Sequence, residues 1–230
     1  MNENNNTFKN TNELLTPQNS ALVLIDHQPF VTLQVRSHEV GEIVRAATAL
    51  AKAAKTMQIP TVLTTIGAKI SPLADPIFSE IQAVFPDVDP IDRTNTNAWS
   101  NDRVVEAVKQ TGRKKLVMAG IWTGVCLAQT ALSAIKDGYE VYFVTDASGD
   151  VSVEAHQDAK ARLIQAGAHP ITATQVIGEW SPDMFGPERQ AIYEVAIGQK
   201  NIVGMMFGYA LEQVNSGRVK MPAYGTPPNA

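Results

Sequence analysis

The chain has 230 residues, 44% of them hydrophobic and 18% charged, with a formal net charge of −4. That length fits one large domain or two small ones, the low charge content excludes wholesale disorder, and the negative balance argues against a nucleic-acid partner. The one cysteine, Cys126, excludes an internal disulfide and a zinc site built from several thiolates.

Residues 1–20 are rich in Asn and Thr and lack the basic start and apolar stretch of an export signal. They predict a flexible arm over 1–17 and a soluble, cytoplasmic protein. Ala21–Ile25 is a continuous apolar run ending at Asp26, the pattern of a strand buried on both faces. Glu39–Met57 has helical periodicity, with Ile43, Val44, Ala47, Leu50, Ala51 and Ala54 on one face. Thr61–Thr65 is the second strand. Five prolines between Pro60 and Pro90 make 67–90 irregular, with a short helix over Pro76–Val84 and a weak strand at Asp89–Asp92. A helix over Asp102–Gln110 stops at Thr111-Gly112.

Leu116–Ile135 is twenty residues without a charge, the length of a membrane span. Gly120, Thr123, Gly124, Gln129, Thr130 and Ser133 interrupt it, so it reads as a buried strand (Leu116–Ala119), a turn and a helix (Thr123–Lys136). Then follow a strand at Val141–Thr145, a helix at Val151–Gln165 and a last strand at His169–Thr172. Strands alternating with helices imply right-handed crossovers and a parallel sheet. The expectation is one three-layer αβα domain over 18–200. The tail 201–230 reads as apolar and irregular from Met205 on, suited to a subunit boundary.

In open parallel sheets, ligands bind outside the carboxyl ends of the strands, near the point where the strand order reverses. That rule selects Asp26, Arg93, the stretch Gly120–Cys126 and Asp146. Cys126 falls in the first turn of an expected helix, where free N–H groups and the helix dipole stabilise a thiolate or an oxyanion. A buried free cysteine is also commonly a small hydrophobe. Asp26 is placed to take a thiol proton, and Arg93 to hold Asp26 ionised or to bind substrate oxygens. His27, His38, His156 and His169 share no metal-ligand spacing, and His156 and His169 read as structural. No glycine-rich phosphate loop is present, so no cofactor is expected.

Leu-Ile-Asp26-His-Gln28-Pro-Phe30, Arg93-Thr-Asn-Thr-Asn97-Ala-Trp99, Ala-Gly120-Ile-Trp122-Thr123-Gly-Val-Cys126 and Thr145-Asp-Ala-Ser-Gly149 together resemble the isochorismatase-like cysteine hydrolases. The resemblance covers about residues 18–180 and is nearest to the YcaC-related branch. It implies a Rossmann-like six-stranded parallel sheet of order 3-2-1-4-5-6 and an Asp–Lys–Cys triad. Here the triad becomes Asp26 as acid/base, Arg93 in the lysine position and Cys126 as nucleophile. Arginine stays charged, so only an electrostatic or orienting role is open to it.

The resemblance also implies a cis peptide at Trp122–Thr123. The Asp-x-His metal site of the nicotinamidase branch has no counterpart in Ile66–Pro72, so the resemblance implies no metal and disfavours nicotinamide as substrate. The expected reaction is C–N hydrolysis of a small amide through a Cys126 thioester, its oxyanion held by the N–H groups of Thr123 and Cys126. Gln28, Phe30, Asn97, Trp99 and Trp122 are the expected pocket residues. The expected assembly is a homo-oligomer built from dimers, up to an octamer, without a membrane partner. Two other readings are a redox-responsive thiol on a silent scaffold and an oligomeric binding module.

Overall fold

Strand β1 (Ser20–Ile25) is buried at every position, which is why its sequence is an unbroken apolar run. Leu22 and Leu24 face one helical layer, and Ala21, Val23 and Ile25 face the other. The computed structural model describes residues 13–70, 76–183, 189–198 and 202–219. β2 (Thr61–Ile66), β3 (Ile91–Arg93), β4 (Lys115–Gly120), β5 (Glu140–Val144) and β6 (His169–Ile171) complete one parallel sheet. Its order is β3-β2-β1-β4-β5-β6, as expected.

The helices are α1 (Pro29–Thr32), α2 (Val40–Thr56), α3 (Ser79–Gln82), α4 (Asp102–Gln110), α5 (Ala128–Lys136), α6 (Val153–Gln165), α7 (Ala173–Trp180), α8 (Arg189–Gly198) and α9 (Ile202–Asn215). Residues of α2, α3, α7 and α8 share one core with Leu22, Leu24, Leu63, Val117 and Val144. Residues of α4, α5 and α6 share the other with Val23, Leu116, Met118 and Phe143. Local signals set the ends. Asn101 and Ser152 accept backbone N–H groups at the starts of α4 and α6, and Gly138 and Gly167 follow α5 and α6 with φ of 85° and 90°.

Several expectations are corrected. The helix expected over Thr123–Lys136 is split. Thr123–Leu127 forms a π turn, with the Leu127 N–H reaching Trp122 O, and α5 begins only at Ala128. Residues 13–17 of the expected arm are held down: Leu15 is fully buried in the core, and its N–H donates to Glu179 at 2.7 Å. Residues 1–12 lie outside the described residues. The tail is helical rather than irregular as far as Asn215, and Pro222, Pro227 and Pro228 lie outside the described residues. α7 follows a capping box between Thr172 and Gln175, a signal carried by the sequence Thr-Ala-Thr-Gln. Among the described residues no helix is long and apolar enough to cross a membrane.

Candidate active site

The chain leaves β1 for β2 and β3 on one side, then crosses to β4 on the other. The order therefore reverses between β1 and β4, and their carboxyl ends flank a crevice. Ile25 pairs with Thr64 and with Gly120, so Asp26 emerges between β2 and the turn after β4. Asp26 has φ of 58°, a left-handed conformation that Asp and Asn tolerate better than other side-chain-bearing residues. Its N–H donates to Thr64 O at 3.0 Å, and Thr64 Oγ1 donates to its carboxylate at 3.3 Å.

Arg93 ends β3, two strands away from β1. Its side chain crosses β2 to place one guanidinium nitrogen 2.8 and 2.7 Å from the two Asp26 oxygens. Both side chains are fully buried. A second guanidinium nitrogen donates to Asn95 O. The Cys126 thiol, on the π turn, lies close enough to Asp26 and Arg93 for both to act on its titration. Three residues far apart in sequence therefore form one contact set.

Burial pushes the Asp26 carboxyl above the ordinary carboxylate range, and the Arg93 charge offsets this only in part. Burial, then the charge and hydrogen bond of Asp26, push the Cys126 thiol far above its ordinary value. The thiolate expected from a helix N-terminus is therefore not favoured here. The N–H groups that would have stabilised it are committed: Gly124 N–H donates to Asp150 at 2.6 Å, and Thr123 N–H to Gly149 O at 2.8 Å.

That second bond also removes Thr123 N–H as an oxyanion donor. The Trp122 N–H, by contrast, makes no hydrogen bond among the described residues. The cis peptide lies at Ile121–Trp122, one bond earlier than expected. Pairing with neighbouring strands runs on through Ile121, whose N–H donates to Ile25 O at 3.1 Å, so the chain turns at the next bond.

The other expected pocket residues have these partners. Gln28 is buried and exchanges hydrogen bonds with the Ile66 backbone at 2.8 and 3.3 Å, tying the end of β1 to the end of β2. Trp122 is half-buried against Val35 and Ile43, its indole N–H on Val31 O at 3.0 Å. Phe30 is largely exposed on α1. The segment Thr96–Trp99 runs along α5 away from Cys126. Thr96 bonds Gln129, Asn97 donates to Ser133, the Ala98 N–H donates to Thr130, and the Trp99 indole donates to Asp137 at 2.8 Å. Burying that indole requires a partner for its N–H, and Asp137, just past the end of α5, supplies it.

Sequence reasoning missed Thr64, Ser148 and Asp150 as contacts of Asp26 and of the turn that carries Cys126. Polar residues at strand ends carry no distinctive pattern; only the segment Thr145–Gly149 gave a signal.

His27 is fully buried, with Nε2 2.9 Å from Ala147 O, and burial lowers its pKa to about 4. In the unfolded chain it titrates near 6.5. As pH falls from about 6.5 toward 4, the unfolded state takes up a proton that the folded state refuses. The stability present above that window is lost through it, on the order of 3 kcal/mol from this residue. Thermal melts should show Tm falling between pH 6.5 and 4, with a shallower fall in His27→Gln. A Tm unchanged across that range would contradict the burial of a neutral imidazole.

Comparison with known proteins places the family. The family model of the isochorismatase domain matches residues 20–175. The chain is 40% identical to the probable hydrolase YcaC of Escherichia coli over 177 residues, 75% of this chain and 84% of the relative. Among solved structures, YcaC from Pseudomonas aeruginosa with hexane-2,5-diol and covalent acrylamide superposes with a TM-score of 0.81 at 32% identity, covering 89% of this chain and 98% of that one. The YcaC gene product of E. coli, described as an octameric hydrolase of unknown specificity, superposes with a TM-score of 0.80 at 35% identity, covering 88% of this chain and 97% of that one. The chain belongs to the isochorismatase family, as a hydrolase of its YcaC-related branch.

Proposed function

We propose that the protein is a cysteine hydrolase that cleaves the C–N bond of a small amide-type substrate through a thioester on Cys126. The observation that carries this reading is the contact of the Cys126 thiol with a buried carboxylate held by Arg93. Because the thiol is held protonated, attack requires its proton to leave as the S–C bond forms. Asp26, made more basic by burial, takes that proton. The oxyanion rests on the N–H of Trp122, with that of Cys126 as second donor. The C–N bond then breaks, Asp26 passes the proton to the leaving nitrogen, and the thioester remains. Water attacks the thioester, Asp26 takes one of its protons, and the proton returns to sulfur as the acid leaves. Arg93 exchanges no proton; it aligns Asp26 and offsets its charge.

The covalent acrylamide of the Pseudomonas relative fits a fold that carries a reactive nucleophile. The raised thiol pKa runs against a redox-responsive thiol, since oxidation proceeds from the thiolate. For the assembly we propose a cytoplasmic homo-octamer like that of the E. coli relative. Met205, Met206 and Tyr209, exposed on α9, suit a covered surface.

The test is quenched-flow mass spectrometry with a panel of small amides. An acyl mass should appear on the peptide carrying Cys126 and be absent from Cys126→Ala. No turnover of any member, together with Cys126 inert to iodoacetamide, would sink the proposal.

A further inference from the structure

The turn that carries Cys126 is held from one side by the segment after β5. Ser148 Oγ accepts the Gly120 N–H at 3.1 Å, Gly149 O accepts the Thr123 N–H at 2.8 Å, and Asp150 accepts the Gly124 N–H at 2.6 Å. One contact in this set joins two side chains. His156 Nδ1, on α6, lies 2.9 Å from Thr123 Oγ1, and both residues are buried.

Thr123 is the first residue of the π turn, next to Trp122 and three residues before the thiol. Its N–H is held by Gly149 and its hydroxyl by His156, so the peptide plane and the side chain are both fixed. Among the described residues, neither partner has a hydrogen bond to Asp26, Arg93 or Cys126.

We propose that His156 is a positioning residue for Cys126: by binding Thr123 Oγ1 it sets the orientation of the turn Trp122–Cys126. The thiol is thereby aimed at Asp26 and the Trp122 N–H toward the attacked carbonyl. The catalytic consequence rests on the cysteine-hydrolase reading; the contact itself does not.

The groups around His156 favour its neutral form. The His38 ring, from the α1–α2 loop, meets it edge-on at 4.7 Å, Lys160 lies on α6, and Asp150 lies on the β5–α6 loop. Burial, then His38 and Lys160, lower its pKa to about 4, with Asp150 opposing. With Nδ1 unprotonated, Thr123 donates its hydroxyl proton to it. Protonation would turn the acceptor into a donor and leave that hydroxyl proton to find another partner.

The test uses the full-length protein and the variants His156→Leu, His156→Asn and Thr123→Val. Asn keeps a polar atom near the position of Nδ1. Three readouts are needed: the pH midpoint of Cys126 alkylation by iodoacetamide, kcat and KM on any amide turned over, and Tm. Asp26 raises the thiol pKa, so a turn that swings away from Asp26 lowers the alkylation midpoint. His156→Leu and Thr123→Val should each lower that midpoint by about one pH unit or more and cut kcat roughly 10- to 100-fold with KM little changed. His156→Asn should restore much of both. A midpoint and kcat at wild-type values alongside a lowered Tm would reduce His156 to core packing and overturn the proposal. If His156→Leu does not fold, Thr123→Val, nearly isosteric, decides the outcome. If no amide is hydrolysed by the wild type, the alkylation midpoint still decides it, because that readout needs no substrate.

Discussion

Asp26→Asn is expected to cut amide turnover about 10²–10⁴-fold while moving Cys126 alkylation to lower pH. The two effects run in opposite directions because Asp26 acts twice on the thiol. It accepts the proton during attack, and at rest its charge and hydrogen bond, after burial, keep the thiol protonated. Asn has no charge and a far weaker basicity, so the base is lost. With Asp26 neutralised, the Arg93 charge still favours the thiolate, and the thiol titrates closer to its ordinary value. Asn is the suitable replacement because position 26 has φ of 58°, which Asn adopts readily and Ala does not. Steady-state turnover and the pH dependence of iodoacetamide alkylation check the two halves separately. Turnover near the wild-type rate in Asp26→Asn would exclude Asp26 as the base.

Arg93→Met is expected to lower stability by about 3–5 kcal/mol in urea denaturation, the usual cost of stranding one charge of a buried pair. Both side chains are fully buried, and both Asp26 oxygens are held by a single guanidinium nitrogen. Without Arg93 the carboxylate must take up a proton or admit water, and either change removes the base from its working state. Arg93→Lys keeps the charge and should cost less than Arg93→Met, with partial turnover retained. The double variant Asp26→Asn/Arg93→Met should be more stable than Arg93→Met alone, because no charge is then left buried. Such non-additivity is the signature of a direct pair. An unfolding free energy for Arg93→Met equal to that of the wild type would contradict it.

Much of this molecule is legible without coordinates. Ala21–Ile25 and Leu116–Ala119 are apolar at consecutive positions, and runs that short, bounded by polar residues, fit strands covered on both faces. The stops at Thr111-Gly112, Asp137-Gly138 and Ala166-Gly167 end the helices where the structure ends them. Asp26, Arg93 and Cys126 follow from one topological rule, since each lies at or just beyond the carboxyl end of a strand. The pocket residues were harder to place. Asn97 and Trp99 sit four and six residues beyond Arg93, but their segment turns along α5, where Ser133 and Asp137 satisfy their polar groups.

The sequence by itself determined the alternation of strands and helices, the family resemblance and the three residues of the contact set, because burial pattern and strand-end position are local properties. Only the tertiary structure decided which way burial and Asp26 push the thiol and which N–H groups of the turn are taken. Those depend on which partners from β2, β3 and the segment after β5 reach the turn. Asp26 raises the thiol pKa through space. Gly149 and Asp150 occupy the N–H groups of Thr123 and Gly124. The π turn, which replaces the first turn of the expected helix, sets Cys126 between them.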